Sequence, residues 1–336
     1  MQRTLAFVPL LAVILAGCSD STGSSGSATG MAGSRATATV DANSPIAVTA
    51  TVGMVADLVR VVGGPRVEVT QICGAGVDPH LYKATRDDVQ TMMNADVIFY
   101  SGLMLEGKMT DTLIKMARAK PVVAVTETLD EKTLFEPADM AGHYDPHVWM
   151  DVSAWSKCVD VIADELCIVD PPSAADYRKR AVVLRDELAK LHEYGQRVMA
   201  TVPADSRVLM TSHDAFNYFG RAYDLEVMGV QGLSTESEAG LQRINELVDL
   251  LVDREVKSVF VESSVPRKNI DSLVEGARSR GHSVHIGEQE LFSDAMGQAG
   301  SYLGTYVGML DHNITIVARG LGGQAPVDGF QGKLNK

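Results

Sequence analysis

The sequence predicts an α/β fold made of two lobes, each a mainly parallel sheet flanked by helices, with one long rigid helix joining them. Two observations lead to this prediction. Short apolar runs alternate with longer amphipathic stretches in two separate series, which is typical of parallel strands covered on both faces. Between the two series lies a single helical stripe bounded by prolines. The chain has 336 residues, of which 46% are hydrophobic and 22% charged, as in an ordinary globular protein.

The first residues are predicted to be a lipoprotein signal and not part of the fold. Residues 1–17 combine Arg3 with a short apolar run and lead into LAGC. This ending resembles the bacterial lipobox, in which cleavage leaves the cysteine, here Cys18, as a lipid-modified N-terminus; the alternative is an ordinary secretory signal with a chance cysteine. Residues 18–44 are expected to be a flexible Ser/Gly/Thr-rich linker. The globule is therefore expected in the cell envelope, lipid-anchored outside the cytoplasmic membrane, in the periplasm or on the cell surface.

The first lobe is expected over residues 45–172. Its predicted strands are IAVTAT, VEVTQI, VIFYS and VVAV, and its predicted helices are 54–62, 86–94 and 107–118. The second lobe, residues 203–323, repeats this rhythm and is followed by a tail over 324–336. Its predicted strands are RVLMTS, EVMGV, KSVFVE and SVHI, with helices near 214–223, 237–253 and 268–280.

A connecting helix is predicted over residues 173–202. Apolar residues recur from Tyr177 to Val198 at alternating spacings of four and three, which gives one stripe on a helix of roughly 28 residues, about 42 Å long. Ser173 is the expected N-cap. A coiled-coil segment would give the same stripe, but no heptads continue beyond Pro203. Such a connector is stiffer than a loop and should limit hinge motion.

The net charge of the chain excludes one class of partner, and its cysteines are expected to be structural. The formal net charge of −13 repels nucleic acid and anionic membrane surfaces, so no nucleic-acid partner is expected. No feature requires an oligomer, and a monomer is expected.

Cys158 and Cys167 lie on opposite sides of one predicted helix and cannot form a disulfide there, and Cys73 has no obvious mate. All three are expected to be buried as small hydrophobic side chains.

The tripeptide Asp-Pro-His occurs twice, in DPHLY at residues 78–82 and in DPHVW at residues 145–149. Each proline stiffens its loop, so that His80 and His147 project from restrained backbone. Asp78 and Asp145 either accept the second ring N–H of a metal-binding histidine or cap helices. Two histidines in the same unusual context favour a role as metal ligands.

Two further donors occupy corresponding positions in the second half. His213 follows the strand RVLMTS, and Asp294 lies in a loop after the strand SVHI. In α/β lobes ligands bind beyond the carboxyl ends of the strands, so these donors and the two Asp-Pro-His loops are expected to surround one cation in the cleft between the lobes. Glu262, after KSVFV, is either a hydrogen-bond partner of a ligand histidine or a carboxylate at a helix start.

Six stretches spread over most of residues 46–320 carry a resemblance to a known family. They are GVDPHLYKATRDDV, ADVIFYSGLMLEGKM, YDPHVWMDV, SHDAFNYFGRAYDL, VFVESSVPRKNI and LFSDAMG. They resemble the metal-binding solute-binding lipoproteins of bacterial ABC importers for zinc, manganese and iron. The resemblance implies a buried metal between two lobes, an ABC permease as partner, and one divalent transition metal as cargo. It implies the same four ligands: His80, His147, His213 and Asp294.

The identity of the metal stays open between zinc and manganese, with iron less favoured. Some family members carry Glu at the position of His213 and tend to bind manganese or iron, so three imidazoles and one carboxylate suit zinc better. Zinc importers of the family, however, often carry a His-rich loop before the second Asp-Pro-His motif, and here that segment has one histidine.

Two other functions are weighed against metal import. A secreted metal-dependent hydrolase would need an open coordination position and a general base, which four protein ligands disfavour. A lipid-anchored adhesin would not need four metal ligands in one cleft. The sequence therefore predicts a binding protein and not an enzyme.

Overall fold

The structure is a computed structural model that describes residues 44–137 and 142–334, all within one compact unit spanning Thr37–Lys336. The predicted signal peptide, Cys18 and the linker up to residue 43 lie outside the described residues. Within the described ranges, no helix is both long and apolar enough to cross a membrane.

The first half contains a four-stranded parallel sheet. Its strands are β1 (Ile46–Ala50), β2 (Val67–Gln71), β3 (Val97–Tyr100) and β4 (Val122–Ala124), in the order β2-β1-β3-β4. The connecting helices are α1 (Gly53–Gly63), α2 (Arg86–Asn94) and α3 (Thr110–Met116). All four strands coincide with the predicted apolar runs. A capping box of Thr85 and Asp88 starts α2.

Three helices lead out of this half: α4 (Val152–Trp155), α5 (Cys158–Val169) and α6 (Ala174–Met199). The last is the predicted connecting helix, 26 residues long. Every residue of its predicted stripe is buried: Tyr177, Ala181, Leu184, Leu188, Leu191, Gly195 and Val198. At Gly195 an added Cβ would lie 2.5 Å from the Tyr223 ring, so α6 needs glycine there to pack closely.

Ser173 occupies the N-cap position of α6, as the sequence predicts, but its side chain makes no capping hydrogen bond. The reason is the 3-10 turn Pro171–Ser173, which gives Ser173 a φ of −96° and a ψ of 6° in place of the extended conformation of a capping serine.

The second half repeats the strand order of the first. Its strands are β5 (Val208–His213), β6 (Glu226–Gln231), β7 (Ser258–Val259) and β8 (His285–Ile286), and its helices are α7 (Asn217–Tyr223), α8 (Leu241–Asp253), α9 (Lys268–Ser279) and α10 (Tyr306–Gly320). Parallel pairs form between β5 and β6 and between β7 and β8. The Phe260 N–H donates to the Met210 carbonyl at 2.9 Å, which joins the pairs in the order β6-β5-β7-β8.

The two halves share a hydrophobic core. One cluster contains the first sheet, α1, α5, α6 and α10, while a smaller one lies between the second sheet and helices α8 and α9. The Asp57 carboxylate of α1 accepts the backbone N–H of Tyr306 at 2.8 Å, which ties α10 to the first half. The predicted bounds 45–172, 173–202, 203–323 and 324–336 stay predictions.

The three cysteines within the described residues and the C-terminal Phe330 are buried. Cys73, Cys158 and Cys167 are buried and free, as the sequence predicts. Phe330 is buried against Tyr194, with ring centroids 5.6 Å apart, and its N–H donates to Asp311. Residues near Phe330 are therefore attached to α10 and α6.

Candidate metal centre

The four candidate ligands meet at one point between the two sheets. His80 lies in the loop after β2, His147 precedes α4, His213 is the last residue of β5, and Asp294 lies between β8 and α10. One donor atom from each lies within 4.8 Å of the others. His80 is 5% exposed and the other three are 0–1% exposed. Side chains separated by more than 200 residues of sequence thus form one buried cluster.

Four of the distances between donor atoms are close to the edge length of a tetrahedral zinc site. The Nε2 atoms of His80 and His147 are 3.2 Å apart, and those of His147 and His213 are 3.3 Å apart. Each oxygen of Asp294 lies 3.4 Å from one Nε2, Oδ1 from His147 and Oδ2 from His213. Tetrahedron edges of this length correspond to centre-to-corner distances of about 2.0–2.1 Å, the length of zinc–nitrogen bonds. The His80–Asp294 edge is longer, at 4.0 Å.

The Asp294 carboxylate is the strongest sign that the cluster serves a cation. Neither oxygen has a hydrogen-bond partner within the described residues, although the side chain is fully buried. Burying an ionised carboxylate is strongly unfavourable unless positive charge lies beside it. A carboxylate with two free oxygens facing three imidazole nitrogens is the donor set of a transition-metal site.

His147 is oriented by the aspartate of its own motif. Asp145 Oδ1 accepts the ring Nδ1–H of His147 at 2.7 Å and its backbone N–H at 2.9 Å. This contact places a proton on Nδ1 and orients the ring so that Nε2 points into the cluster. Asn217 donates to the other oxygen of Asp145 at 3.1 Å and holds the carboxylate in place.

His213 is oriented in the same way from a neighbouring strand end. Glu262 accepts the ring Nδ1–H at 2.6 Å and the His213 backbone N–H at 2.9 Å. Gly229 on β6 allows the adjacent backbone to pack closely, because an added Cβ would lie 2.4 Å from the Asp214 nitrogen. Of the two roles considered for Glu262, the hydrogen-bond partner of a ligand histidine fits these contacts.

Asp78 has a different arrangement. Its Oδ1 accepts the backbone N–H of His80 at 2.8 Å, and its Oδ2 accepts the hydroxyl of Thr235 at 2.5 Å. The carboxylate thus holds the main chain of His80 and not its ring. Thr235 could not have been found from the sequence, because it lies 157 residues further along the chain and in no recognisable motif.

Trp149 connects two of the ligand loops. Its ring packs edge-on against His147 at a centroid distance of 5.2 Å, and its Nε1–H donates to the Ser293 carbonyl at 2.9 Å. Tyr306 in turn donates its hydroxyl to the Trp149 carbonyl at 2.7 Å. Trp149 therefore fixes the His147 loop against the residue that precedes Asp294, a contact that sequence reasoning missed.

The electrostatics of the site differ from one ligand to the next. Burial lowers the pKa of His80 to about 4, so its ring is neutral at neutral pH. Burial alone would raise the pKa of Asp294, but His213, His147 and His80 outweigh burial and lower it. Asp294 is therefore ionised and can balance the charge of a bound cation.

The other two imidazoles are held beside carboxylates. Burial alone would lower the pKa of His147, but Asp145 and Asp294 outweigh it and raise the value to about 10. Burial alone would also lower the pKa of His213, but Asp294 and Glu262 outweigh burial and raise this pKa. An incoming metal ion therefore competes with protons at these two rings.

The comparison with known families decides what kind of protein this is. The family described as zinc-uptake complex component A, periplasmic (ZnuA), matches residues 48–320. The chain belongs to this family. Among its relatives, the manganese-binding lipoprotein MntA of Bacillus subtilis (strain 168) is 46% identical over 280 residues, which cover 83% of this chain and 91% of MntA.

A second relative is similar in both sequence and structure. The zinc-binding protein TroA of Treponema pallidum (strain Nichols) is 46% identical over 277 residues, 82% of this chain and 88% of TroA. A solved structure of the periplasmic zinc-binding protein TroA superposes with a TM-score of 0.80 at 43% identity, covering 83% of this chain and 99% of that one.

Membership of the ZnuA family settles the class of function. The chain is a metal-binding, substrate-binding component of an ABC importer that works outside the cytoplasm, and an ABC permease is its partner. Such proteins bind their cargo without transforming it, so the chain is not an enzyme and the hydrolase alternative is excluded. The predicted two-sheet fold with a long helix is confirmed.

Proposed function

We propose that the chain captures one divalent transition metal with His80, His147, His213 and Asp294 and delivers it to the permease. The observation that supports this proposal most strongly is the buried Asp294 carboxylate, each of whose two oxygens lies 3.4 Å from the Nε2 atom of a histidine in the cluster. Import requires a buried four-donor cluster of this kind and adhesion does not, so import is proposed here and not adhesion.

Zinc is the ion that this donor set favours. Donor separations of 3.2–3.4 Å match bonds of about 2.0–2.1 Å. A nitrogen-rich set binds zinc more tightly than manganese. The two relatives at 46% identity are named for different metals, manganese and zinc, so similarity alone does not separate the two cargoes. Manganese is the alternative cargo, with Asp294 able to supply both oxygens to a larger coordination shell.

The mature protein is proposed to be a lipid-anchored monomer. Cys18 would carry the lipid, and residues 18–44 would tether the globule beside the membrane. Replacing the cysteine, Cys18→Ala, should abolish incorporation of labelled fatty acid into the protein in growing cells. Sedimentation of residues 37–336 should give the mass of one chain, and a dimer would contradict the monomer proposal.

Elemental analysis and metal titration test the binding site. Residues 37–336, freed of metal and reloaded, should retain one zinc ion per chain. His80→Ala and Asp294→Ala should each lower zinc affinity by at least a hundredfold. His285→Ala is the matched control, because His285 is an exposed histidine on β8. Wild-type affinity in both ligand variants would contradict the proposed ligand set.

A further inference from the structure

His80 differs from the other two histidines of the cluster. Among the described residues, no carboxylate accepts a hydrogen bond from its ring, whereas Asp145 and Glu262 fix the rings of His147 and His213. Its Nε2 is also the donor farthest from Asp294, at 4.0 Å. The position of His80 therefore depends on its main chain, which Asp78 holds.

Asp78 makes that main chain depend on the second half of the molecule. One oxygen accepts the His80 N–H at 2.8 Å, and the other accepts the Thr235 hydroxyl at 2.5 Å. Thr235 lies after β6, in residues 232–236, a stretch that we call the latch segment. A hydrogen bond to an ionised group is stronger than one between neutral groups. A single carboxylate thus links a proposed ligand to the opposite lobe.

The next residue of the latch segment makes a second contact between the lobes. Glu236 pairs with Lys108 at 3.0 Å, and both side chains are partly exposed. Lys108 lies in the short 3-10 helix Gly107–Met109, directly after Glu106. The buried Glu106 carboxylate accepts the backbone N–H groups of Ser101 and Gly102. Because the ion pair is solvent-accessible, it contributes less than the Thr235 contact and weakens with salt.

The latch segment also forms a wall of the cavity beside His80. This cavity has a volume of about 300 Å³, and its lining includes His80, Pro146, Leu233, Ser234 and Glu236. A cavity of this size admits a hydrated ion. The latch segment therefore borders the cavity that reaches His80, which is the most exposed of the four proposed ligands at 5%.

We propose that residues 232–236 are a latch that closes the cluster on its His80 side, and that Thr235 is a positioning residue that fixes His80 through Asp78. The proposal rests on the ligand set given under the proposed function. Release of the metal to the permease then requires separation of Thr235 from Asp78 and of Glu236 from Lys108. Breaking these contacts frees the main chain of His80 before the better-held histidines are disturbed.

The dissociation rate of zinc tests the latch. Thr235→Val keeps the shape of the side chain and removes the hydroxyl, and stopped-flow release into excess chelator should become roughly tenfold faster. Thr235→Ser restores the hydroxyl and should stay within twofold of wild type. Thr201→Val is the matched control, because it removes a hydrogen-bonded hydroxyl far from the cluster. An unchanged rate in Thr235→Val, or an equal acceleration in Thr235→Ser, would overturn the proposal.

A double-mutant cycle tests whether the effect passes through Asp78. In an Asp78→Ala background Thr235 has lost its acceptor, so adding Thr235→Val should leave the dissociation rate within twofold of the single Asp78→Ala variant. An additive acceleration would show that Thr235 acts by another route and would contradict its role in positioning His80.

A third measurement needs no metal and separates failure of the latch from failure of the ligand set. Hydrogen–deuterium exchange of the metal-free protein should be faster in peptides covering 76–82 and 232–240 in Thr235→Val than in wild type or Thr201→Val. If His80→Ala still binds zinc tightly, the proposed ligand set is rejected. The exchange measurement then still shows whether Thr235 holds the latch segment. Unchanged exchange in both peptides would reject the latch alone.

Discussion

At the scale of single residues, the cluster combines donors that the sequence reveals with partners that it does not. His80 and His147 are recognisable because a proline and an aspartate precede each of them, and Asp145 is a neighbour of the ring that it orients. Asp78 occupies the same motif position but contacts main chain and Thr235 instead. Local sequence is the same in both loops, and only the folded surroundings distinguish the two aspartates.

The contact between Glu262 and His213 gives a prediction for metal affinity. Glu262→Gln replaces one of two accepting oxygens by a donor, which then faces either the ring or the backbone N–H of His213. We expect zinc affinity to fall by about 10- to 100-fold, the usual effect of losing such a partner. Competition titration against a chelator measures it. The control is Glu275→Gln, an exposed residue on α9; equal affinities in the two variants would contradict the assignment.

A buried carboxylate outside the cluster gives a prediction for pH. Burial raises the pKa of Asp311 from 3.8 to about 6. Between these values the folded protein binds more protons than the unfolded chain, so this group lowers the free energy of unfolding as pH rises. Asp311→Asn removes that dependence while an amide oxygen still accepts the Phe330 N–H.

Urea unfolding of the metal-free protein between about pH 4 and pH 7 tests this prediction. Relative to wild type, Asp311→Asn should gain about 2–3 kcal/mol of unfolding free energy across the range, since one pKa unit corresponds to about 1.4 kcal/mol. A stability difference between the two proteins that does not change with pH would contradict it.

At the scale of elements, the connecting helix could be predicted from the sequence, but the turn before it and the packing of α10 could not. The stripe from Tyr177 to Val198 follows from helical periodicity, which is a local property, and all of its residues are buried. The absence of a capping hydrogen bond from the Ser173 side chain depends on the 3-10 turn before α6. Helix α10 packs into the same core through contacts between residues more than a hundred positions apart. Helical periodicity does not predict such contacts.

Leu188 gives a prediction for the stability of this helix. Its side chain is fully buried in α6, so Leu188→Ala leaves a cavity in the core that both halves share. We expect a loss of about 2–5 kcal/mol in the free energy of unfolding, measured in urea. Val183→Ala is the control on the same helix, because Val183 is 62% exposed and should change stability little. A similar loss in both variants would show that α6 is not packed as described.

At the scale of the whole molecule, two sheets with the same strand order place the cluster between them. Residues of both halves pack in the larger hydrophobic core, and the second sheet has a smaller core of its own with α8 and α9. The sequence predicts the parallel sheets from the alternation of strands and helices. It does not predict the strand order, which is fixed by contacts such as Phe260 to Met210. Because the core is shared, large independent motion of the two halves is disfavoured, and release of metal is expected to involve local change around the cluster.

Thermal unfolding with and without zinc tests this view of the molecule. Zinc at a free concentration a hundred times its dissociation constant should add about 2.7 kcal/mol to the free energy of unfolding, because the unfolded chain lacks the site. The shared core predicts one unfolding transition that shifts as a whole. Two transitions, of which only one shifts, would contradict the shared core, and His80→Ala should show a much smaller shift.

A crystal structure of the zinc-loaded protein, with data collected at the zinc absorption edge, would locate the metal itself. If the proposed ligands hold zinc, there should be one strong anomalous peak per chain, about 2.0–2.1 Å from Nε2 of His80, His147 and His213 and within bonding distance of Asp294. A peak at any other group of residues, or zinc bound by fewer than three of these histidines, would contradict the claim that these four side chains hold the transported metal.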